Sequence, residues 1–293
     1  MLTTAPEHIL WNYTYHCNLN CGHCYSRADH YPDEVEARQA QSIAENIARS
    51  GVFKVALGGG EVLFRKDVFQ TIETLSASGT YVSVTSNGWP ITKSVAKRLQ
   101  AAGIGDVYIS VDSMIPSVHD TIRGRQGTLA RATDAIGYCI DAGISTRLSS
   151  VITKETRASI DEIVAFANMN NLAEVNFKRF RASGNGFVNR DRFDVSDAES
   201  GELYRQIDRL KKSSTTEITL NFGANENWVD GGCSCGITTL TIRPNGDIAL
   251  CSYSETVLGN LLDDDLSEIW TGSPILKSKR LGVSCEADRK SVV

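Results

Sequence analysis

The chain has no long apolar segment and no excess of positive charge. Its 293 residues carry 30 Lys and Arg against 35 Asp and Glu, a formal net charge of −5. That balance gives no indication of a nucleic-acid-binding surface. No apolar run approaches the roughly 20 residues of a membrane-spanning helix, and residues 1–7 lack the basic and apolar regions of a secretory signal. We therefore expect a cytoplasmic protein with neither nucleic-acid nor membrane partners.

Cysteine, in contrast, is plentiful and unevenly placed. The chain has eight cysteines, and in a reducing compartment these indicate metal ligands or catalytic thiols rather than disulfides. Three of them form the C-x3-C-x2-C run Cys17, Cys21 and Cys24. Three thiolates can hold three corners of a cubane iron–sulfur cluster and leave the fourth iron open to a small molecule, whereas a structural site closes all its positions. A zinc site completed by His16 or His23 is the alternative.

Short apolar runs rich in Val and Ile alternate with longer amphipathic segments between residues 9 and 180. This pattern predicts six βα units, with a parallel sheet covered by helices. We therefore predict an α/β fold, a partial (β/α)6 TIM-like barrel over residues 1–216, with its ligands at the carboxyl ends of the strands. Residues 182–192 are expected to form a loop at the barrel mouth, and Ser196 with Glu199 predicts a helix start by a capping box.

The pattern changes from about residue 217. Two short apolar runs flank Arg243-Pro244-Asn245-Gly246, which predicts a hairpin with Asn-Gly at its turn. We expect residues 217–293 to form a small α+β domain.

Glycine or short polar residues follow three further predicted strands. They are Gly58–Glu61 after the second, Ser86 and Asn87 after the third, and Ser110 and Asp112 after the fourth. Glycine lets a backbone approach a ligand closely, and Asp112 is expected to accept hydrogen bonds from sugar hydroxyls or, alternatively, to cap the next segment. Together these strand ends predict a nucleoside-like ligand lying across the sheet.

The cysteine run and Gly58–Glu61 together resemble the radical S-adenosylmethionine superfamily over roughly residues 9–180. The resemblance implies a [4Fe–4S] cluster on Cys17, Cys21 and Cys24, whose open iron binds the amino and carboxylate groups of S-adenosylmethionine. Reductive cleavage would then yield a 5′-deoxyadenosyl radical that takes a hydrogen atom from the substrate. An electron donor such as flavodoxin or ferredoxin is implied as a partner.

The resemblance also implies a set of cofactor contacts. The residues implied to contact S-adenosylmethionine are Tyr25, Gly58, Gly59, Gly60, Glu61, Ser86, Asn87, Ser110, Asp112 and Arg123. Within this set, Gly58–Glu61 would lie at the methionine amino group and Tyr25 near the adenine.

The C-terminal cysteines resemble those of the auxiliary-cluster domains called SPASM and twitch. Cys233 or Cys235, followed by Gly246-x4-Cys251, fits the opening pattern of these domains. A full SPASM domain continues with several more closely spaced cysteines, whereas this sequence has only Cys285. The shorter set implies the twitch type, with one auxiliary [4Fe–4S] cluster on ligands drawn from Cys233, Cys235, Cys251 and Cys285. A zinc site is the alternative.

A spare C-terminal thiol would decide the fate of the substrate radical. A thiol can return a hydrogen atom to the opposite face of a carbon radical, because its S–H bond is weaker than a typical C–H bond. Cys251 and Cys235 are the candidate donors, and Cys139, expected to be a buried small hydrophobe in a helix, is a poorer one. Loss of an electron to the auxiliary cluster would instead give dehydrogenation or a cross-link.

The substrate is predicted to be a small molecule. Only sixteen residues precede Cys17, so we expect no fused N-terminal peptide-recognition module of the kind that many SPASM and twitch enzymes carry. The chain length and the short cysteine set resemble neomycin-type aminoglycoside epimerases of antibiotic biosynthesis, and acidic residues such as Glu226, Asp230 and Asp263 suit a polycation. Our leading hypothesis is therefore epimerisation of a carbon centre in an aminoglycoside-type natural product.

Three alternatives remain open on the sequence. They are a ribosomal-peptide-modifying enzyme (an epimerase or a thioether or carbon–carbon cross-link former), an aminocyclitol dehydrogenase, and a non-catalytic iron–sulfur or zinc protein.

Overall fold

One ten-stranded sheet runs through the computed structural model, which describes residues 4–26, 33–221 and 233–281. The strands are β1 His8–Thr14, β2 Lys54–Gly59, β3 Tyr81–Ser86, β4 Asp106–Ser110, β5 Ser145–Ile152, β6 Glu174–Arg179, β7 Glu217–Asn221, β8 Thr239–Ile242, β9 Asp247–Ala249 and β10 Val257–Asn260. Their order across the sheet is β10-β9-β8-β1-β2-β3-β4-β5-β6-β7.

Helices alternate with the strands along the chain. They are α1 Ala37–Ser50, α2 Val68–Ala77, α3 Lys93–Ala101, α4 Pro116–Arg123, α5 Thr128–Asp141, α6 Ile160–Met169, α7 Asn185–Val188, α8 Arg190–Phe193, α9 Asp197–Ser213, α10 Leu266–Gly272 and α11 Pro274–Arg280. Within the described ranges, none of these helices has the length and apolar character needed to cross a membrane.

Strands β1 to β7 pair in parallel in chain order. In β1, Ile9, Trp11 and Tyr13 are buried in the hydrophobic core, and the residues between them lie on the opposite face of the sheet because side chains alternate along a strand. The predicted α/β class and partial TIM-like barrel are confirmed.

Ion pairs link the amino ends of three strands inside the barrel. Arg147 lies 2.8 Å from Asp106 and 2.5 Å from Glu174, and the Tyr108 hydroxyl donates to Glu174 at 2.9 Å. Asp106 and Glu174 are the first residues of β4 and β6. These carboxylates therefore form ion pairs that stabilise the amino end of the barrel. Ligands are expected at the carboxyl end.

The barrel contains one more strand than the sequence pattern predicted. Strand β7 pairs in parallel with β6 along its whole length, so residues 217–221 extend the barrel sheet, and the domain boundary at 216/217 stays a prediction. The cause of the missed strand is composition: the polar residues 211–216, Lys-Lys-Ser-Ser-Thr-Thr, precede β7 and resemble a linker.

The predicted hairpin is present in the C-terminal part. Strands β8 and β9 pair antiparallel across the Arg243–Gly246 turn, with Gly246 at a φ of +89° that suits glycine. Strand β8 also pairs in parallel with β1, Leu10 opposite Thr241. The small C-terminal domain is therefore hydrogen-bonded to the strand that leads into the first cysteine run.

Candidate active site

The three cysteines of the C-x3-C-x2-C run lie on the loop after β1, at the carboxyl end of the barrel. The Cys24 N–H donates to the Cys21 carbonyl at 3.3 Å and so closes a turn. Burial and the neighbouring thiols of the run raise the pKa of Cys17 and raise that of Cys21 to about 12. These mutual effects indicate three sulfurs close together.

Neither histidine of the zinc alternative completes a site with these cysteines. His23 is buried with Nε2 3.5 Å from Asp112 Oδ2, burial lowers its pKa to about 4, and His16 is exposed. Across residues 4–26, 33–221 and 233–281, no group of three or more His, Cys, Asp or Glu could hold a single metal ion. The zinc alternative gains no support from the described residues.

The glycines after β2 pack directly against the chain that enters the cysteine loop. The Gly60 N–H donates to the Thr14 carbonyl at 2.6 Å. A Cβ on Gly59 would lie 2.3 Å from the Thr14 oxygen, and one on Gly60 would lie 2.2 Å from the His16 oxygen. Gly59 and Gly60 are thus required by this backbone contact, whereas a Cβ on Gly58 would meet nothing closer than Leu10 at 3.9 Å.

Glu61 is fully buried and joins the end of β2 to the end of β3. Its carboxylate accepts hydrogen bonds from the Ser86 hydroxyl at 2.9 Å and from the Asn87 N–H at 2.7 Å. Burial raises the pKa of Glu61 to about 7, although these hydrogen bonds oppose the rise. The structure thus gives Glu61, expected at the methionine amino group, partners within the protein for both carboxylate oxygens.

Asn87 extends this link to the cysteine loop. Its side-chain Nδ2 donates to Asn18 Oδ1 at 2.9 Å and lies 3.7 Å from Cys17 Sγ. The third strand therefore reaches the first cysteine through one amide side chain.

Asp112 has partners other than the sugar hydroxyls we expected. It is fully buried, accepts a hydrogen bond from the Val151 N–H at 2.9 Å and forms an ion pair with Arg123 at 2.8 Å. Burial alone would raise its pKa, but Arg123 and His23 hold it below the ordinary value. Within the protein, Asp112 is thus the buried counter-ion of Arg123, and its contact with sugar hydroxyls stays a prediction.

Arg123 is brought to the cysteine loop by helix α4. Its positive charge lowers the pKa of the Cys21 thiol, and its Nε is buried without a hydrogen-bond partner among the described residues. The Gly22 N–H donates to the Ile122 carbonyl at 2.9 Å. We did not predict α4, although Pro116 at its first turn and Gly124 after its last are typical helix boundaries.

The segment expected as a loop at the mouth contains helices α7 and α8, which pack on the cysteine loop. Asn185 Nδ2 donates to the Cys21 carbonyl at 3.3 Å and Asn189 Nδ2 to the Gly22 carbonyl at 3.2 Å. Phe193 is fully buried and lies edge-on to His23, with 6.3 Å between ring centroids. These contacts were not predictable from local sequence because they join residues far apart in the chain.

The inner face of the barrel carries three polar side chains near its carboxyl end. Ser110, an expected cofactor contact, is buried and pairs in register with Ser149. Lys178 Nζ donates to Ser149 Oγ at 3.0 Å, and burial lowers the pKa of Lys178. Sequence reasoning missed Ser149 and Lys178 because they lie within strands rather than after them.

Three of the four C-terminal cysteines lie together. The thiols of Cys233 and Cys251 raise the pKa of Cys235, whereas Cys235 and two backbone N–H groups lower the pKa of Cys251 to about 7. Cys285, Glu226 and Asp230 lie outside the described residues, and Asp263 is exposed in the turn after β10. Cys139 is fully buried on α5, where burial raises its pKa to about 12.

One tyrosine contact joins the two cysteine groups. Tyr25, next to Cys24, donates its hydroxyl to Asn12 Oδ1 at 3.1 Å, and its ring centroid lies 5.7 Å from that of Tyr253. Tyr253 is partly exposed, and desolvation together with the thiols of Cys251 and Cys24 raises its pKa to about 12. Tyr253 is thus close to both cysteine groups.

Known proteins match both parts of the chain. The model of the radical SAM superfamily matches residues 11–167, and that of an iron–sulfur cluster-binding domain, SPASM, matches residues 233–290. The mycofactocin maturase MftC of Mycobacterium tuberculosis is 30% identical over 94% of this chain and 73% of its own. The pre-heme d1 synthase of Dinoroseobacter shibae is 28% identical over 94% of this chain and 76% of its own.

Solved structures share the fold. Streptococcus suis SuiB bound to precursor peptide SuiA superposes with a TM-score of 0.80 at 18% identity, over 94% of this chain and 67% of that one. Because the superfamily model matches more than half of the residues, the chain belongs to the radical SAM superfamily, whose enzymes use S-adenosylmethionine and a [4Fe–4S] cluster, and it carries a SPASM-type domain for auxiliary iron–sulfur clusters.

Proposed function

We propose that this chain is a radical S-adenosylmethionine enzyme that oxidatively modifies a peptide. The observation that carries the proposal is the contact between Tyr25 and Tyr253, 5.7 Å between ring centroids, which links the two cysteine groups. The name of MftC as a maturase and the precursor peptide bound to SuiB support a peptide substrate. This is the alternative of the sequence analysis, and it has more support than aminoglycoside epimerisation.

The residues present fit the expected cofactors. Cys17, Cys21 and Cys24 share one loop and are proposed to hold the [4Fe–4S] cluster, and Cys233, Cys235 and Cys251 are proposed ligands of an auxiliary cluster. The buried Arg123 Nε, which has no hydrogen-bond partner in the described structure, is a donor suited to an anionic group beside Cys21. The proposed contacts of S-adenosylmethionine are Arg123, Gly58, Ser110 and Tyr25, with Gly59, Gly60, Glu61, Ser86 and Asn87 shaping the loop around it.

When bound, the cofactors supply a 5′-deoxyadenosyl radical that removes a hydrogen atom and an acceptor for one further electron. The chain holds the site rigid: Glu61 ties β2 to β3, and Asp112 fixes Arg123 by a buried ion pair. Tyr253 packs against Tyr25, with 5.7 Å between ring centroids.

The positions of the thiols favour oxidation over epimerisation by a thiol donor. Cys235 contacts both Cys233 and Cys251, so neither proposed donor is spare among the described residues. Cys139 lies in the hydrophobic core. We therefore propose that the substrate loses a hydrogen atom, then an electron and a proton.

A substrate screen tests the proposal. The enzyme is reconstituted anaerobically with iron and sulfide, reduced, and supplied with S-adenosylmethionine together with peptide pools or aminoglycosides in deuterated water. We expect peptides to stimulate 5′-deoxyadenosine release and to lose two hydrogens in mass. An aminoglycoside that stimulates 5′-deoxyadenosine release and gains one solvent deuterium without net oxidation would support the epimerase hypothesis instead. Absence of 5′-deoxyadenosine with every compound would argue against both.

A further inference from the structure

Lys178 places an ammonium group inside the carboxyl end of the barrel. It lies on the inner face of β6, and Nζ donates to Ser149 Oγ at 3.0 Å. Over the described ranges of the chain, no carboxylate oxygen lies within 4.0 Å of its Nζ. A partly buried ammonium group without a carboxylate partner is costly in free energy unless an anion completes the site.

The carboxylates that act on Lys178 are already paired with arginines. Asp112 and Glu174 are the two acidic groups that raise its pKa, while burial and Arg123 lower it. Asp112 is 2.8 Å from Arg123, and Glu174 is 2.5 Å from Arg147. The positive charge of Lys178 on the inner face is therefore not neutralised by either of these carboxylates.

We propose that Lys178 and Ser149 form a subsite that binds a carboxylate of the peptide substrate, at its C-terminus or on an acidic side chain. This inference rests on the proposed function, since it names a feature of the peptide that would enter the barrel. The Ser149 hydroxyl accepts from Lys178, so its own proton is available to the same carboxylate as the ammonium protons. Ser110, a proposed contact of S-adenosylmethionine, lies beside Ser149 in register, so the subsite adjoins the cofactor.

Lys178 is better placed for the substrate than for the carboxylate of S-adenosylmethionine. Arg123 is among the main charges that act on Cys17 and Cys21, whereas Lys178 is not. The arginine thus serves the cofactor at the cysteine loop. Arg181, in the loop after β6, lies over the Tyr253 ring at 5.2 Å and adds positive charge at the same rim.

Binding measurements on the reconstituted enzyme with S-adenosylmethionine test this subsite. The probes are N-acetyl amino acids and random pentapeptide pools, each compared with the same compounds after all carboxylates are converted to amides. We expect wild-type enzyme to bind acids about 10-fold or more tightly than amides, as for a hydrogen bond to a charged group. Lys178→Gln should lose this preference, Lys178→Arg should keep it, and Ser149→Ala should weaken it.

Controls separate the subsite from folding and from cofactor binding. Lys97 is exposed on α3, and Lys97→Gln should behave as wild type. Calorimetric titration should give Lys178→Gln an unchanged affinity for S-adenosylmethionine, with unchanged iron content. A tenfold loss of that affinity would make Lys178 a cofactor contact and overturn the inference. So would the lack of an acid preference in wild type, or its persistence in Lys178→Gln.

The same data distinguish this inference from the proposed function. If acids are preferred through Lys178 but no peptide is ever modified, the subsite stands and the peptide proposal fails. If peptides are modified and acids and amides bind equally, the peptide proposal stands and the subsite fails.

Discussion

Buried polar side chains around the cysteine loop have specific partners within the protein, and their protonation states follow from burial and those partners. His119 is the clearest case outside the loop itself. It is 1% exposed, and its Nδ1 accepts a hydrogen bond from the Asp112 N–H at 3.2 Å. Burial lowers the pKa of His119 to about 4, so the ring remains neutral at ordinary pH and Nδ1 remains an acceptor.

The lowered pKa of His119 predicts a loss of stability in acid. Between about pH 6.5 and pH 4 the unfolded chain binds a proton at this residue that the folded chain does not, so stability falls as pH falls through that window. The loss is roughly 2 kcal/mol at pH 5 and absent above pH 7. In His119→Gln, whose oxygen can accept the same N–H, the decrease in thermal midpoint from pH 7.5 to pH 5 should be smaller. The exposed His16 provides the control, His16→Gln, and an equal decrease in all three proteins would contradict the prediction.

At the scale of whole elements, helix α4 acts as a support for the cysteine loop. It ends at Gly124, with φ of +71°, and a Cβ there would lie 2.6 Å from the Asn20 carbonyl oxygen. Gly127 has a similar φ of +79°, and a Cβ there would meet nothing within 4 Å. At either position, alanine would have the backbone strain of a left-handed residue. Only at Gly124 would its Cβ also collide with the cysteine loop.

This pair predicts separable effects of alanine. Gly127→Ala should cost about 1–2 kcal/mol of backbone strain and leave the iron content unchanged. Gly124→Ala should lower the thermal midpoint further and displace the cysteine loop, with loss of about four irons per chain. Iron analysis and thermal unfolding of both variants check this. Equal iron content in the two variants would mean that α4 does not support the loop.

On the scale of the whole molecule, one sheet carries two cysteine groups at separate places. The first follows β1 and the second surrounds the β8–β9 hairpin. Because their ligands do not overlap, we expect each to be lost independently. Cys251→Ser should remove about four irons and leave S-adenosylmethionine cleavage in place, whereas Cys17→Ser should abolish cleavage and retain about four irons. Iron analysis with 5′-deoxyadenosine measurement checks this, and loss of all iron in Cys251→Ser would show that the two groups are not independent.

The sequence predicted those features that are set locally. The Val- and Ile-rich strands, the Ser196–Glu199 capping box and the Asn-Gly turn of the hairpin are each encoded within a few residues, and all three were predicted. The cysteine run likewise needs only its own spacing. Strand β7 was not predicted because Glu217 and the polar residues before it do not resemble a buried strand.

Partners far apart in the chain could not be predicted. Arg123 and Asp112 meet only because α4 folds back on β4, and Lys178 reaches Ser149 across 29 positions. Tyr253 was not singled out because its contact with Tyr25 depends on β8 joining the sheet beside β1. The chemistry of single motifs could thus be predicted from the sequence, whereas the arrangement of charges around them could be seen only in the folded structure.

The pairing of β8 with β1 also sets an order of events during synthesis. Strand β1 is made first, yet its neighbour on one side, residues 239–242, leaves the ribosome more than 200 residues later. At about 5–20 residues per second, that edge of β1 stays uncovered for roughly ten seconds or more. Nascent chains of this protein therefore expose an unpaired strand edge beside the first cysteine run, and chaperones or cluster-delivery proteins have that interval in which to act.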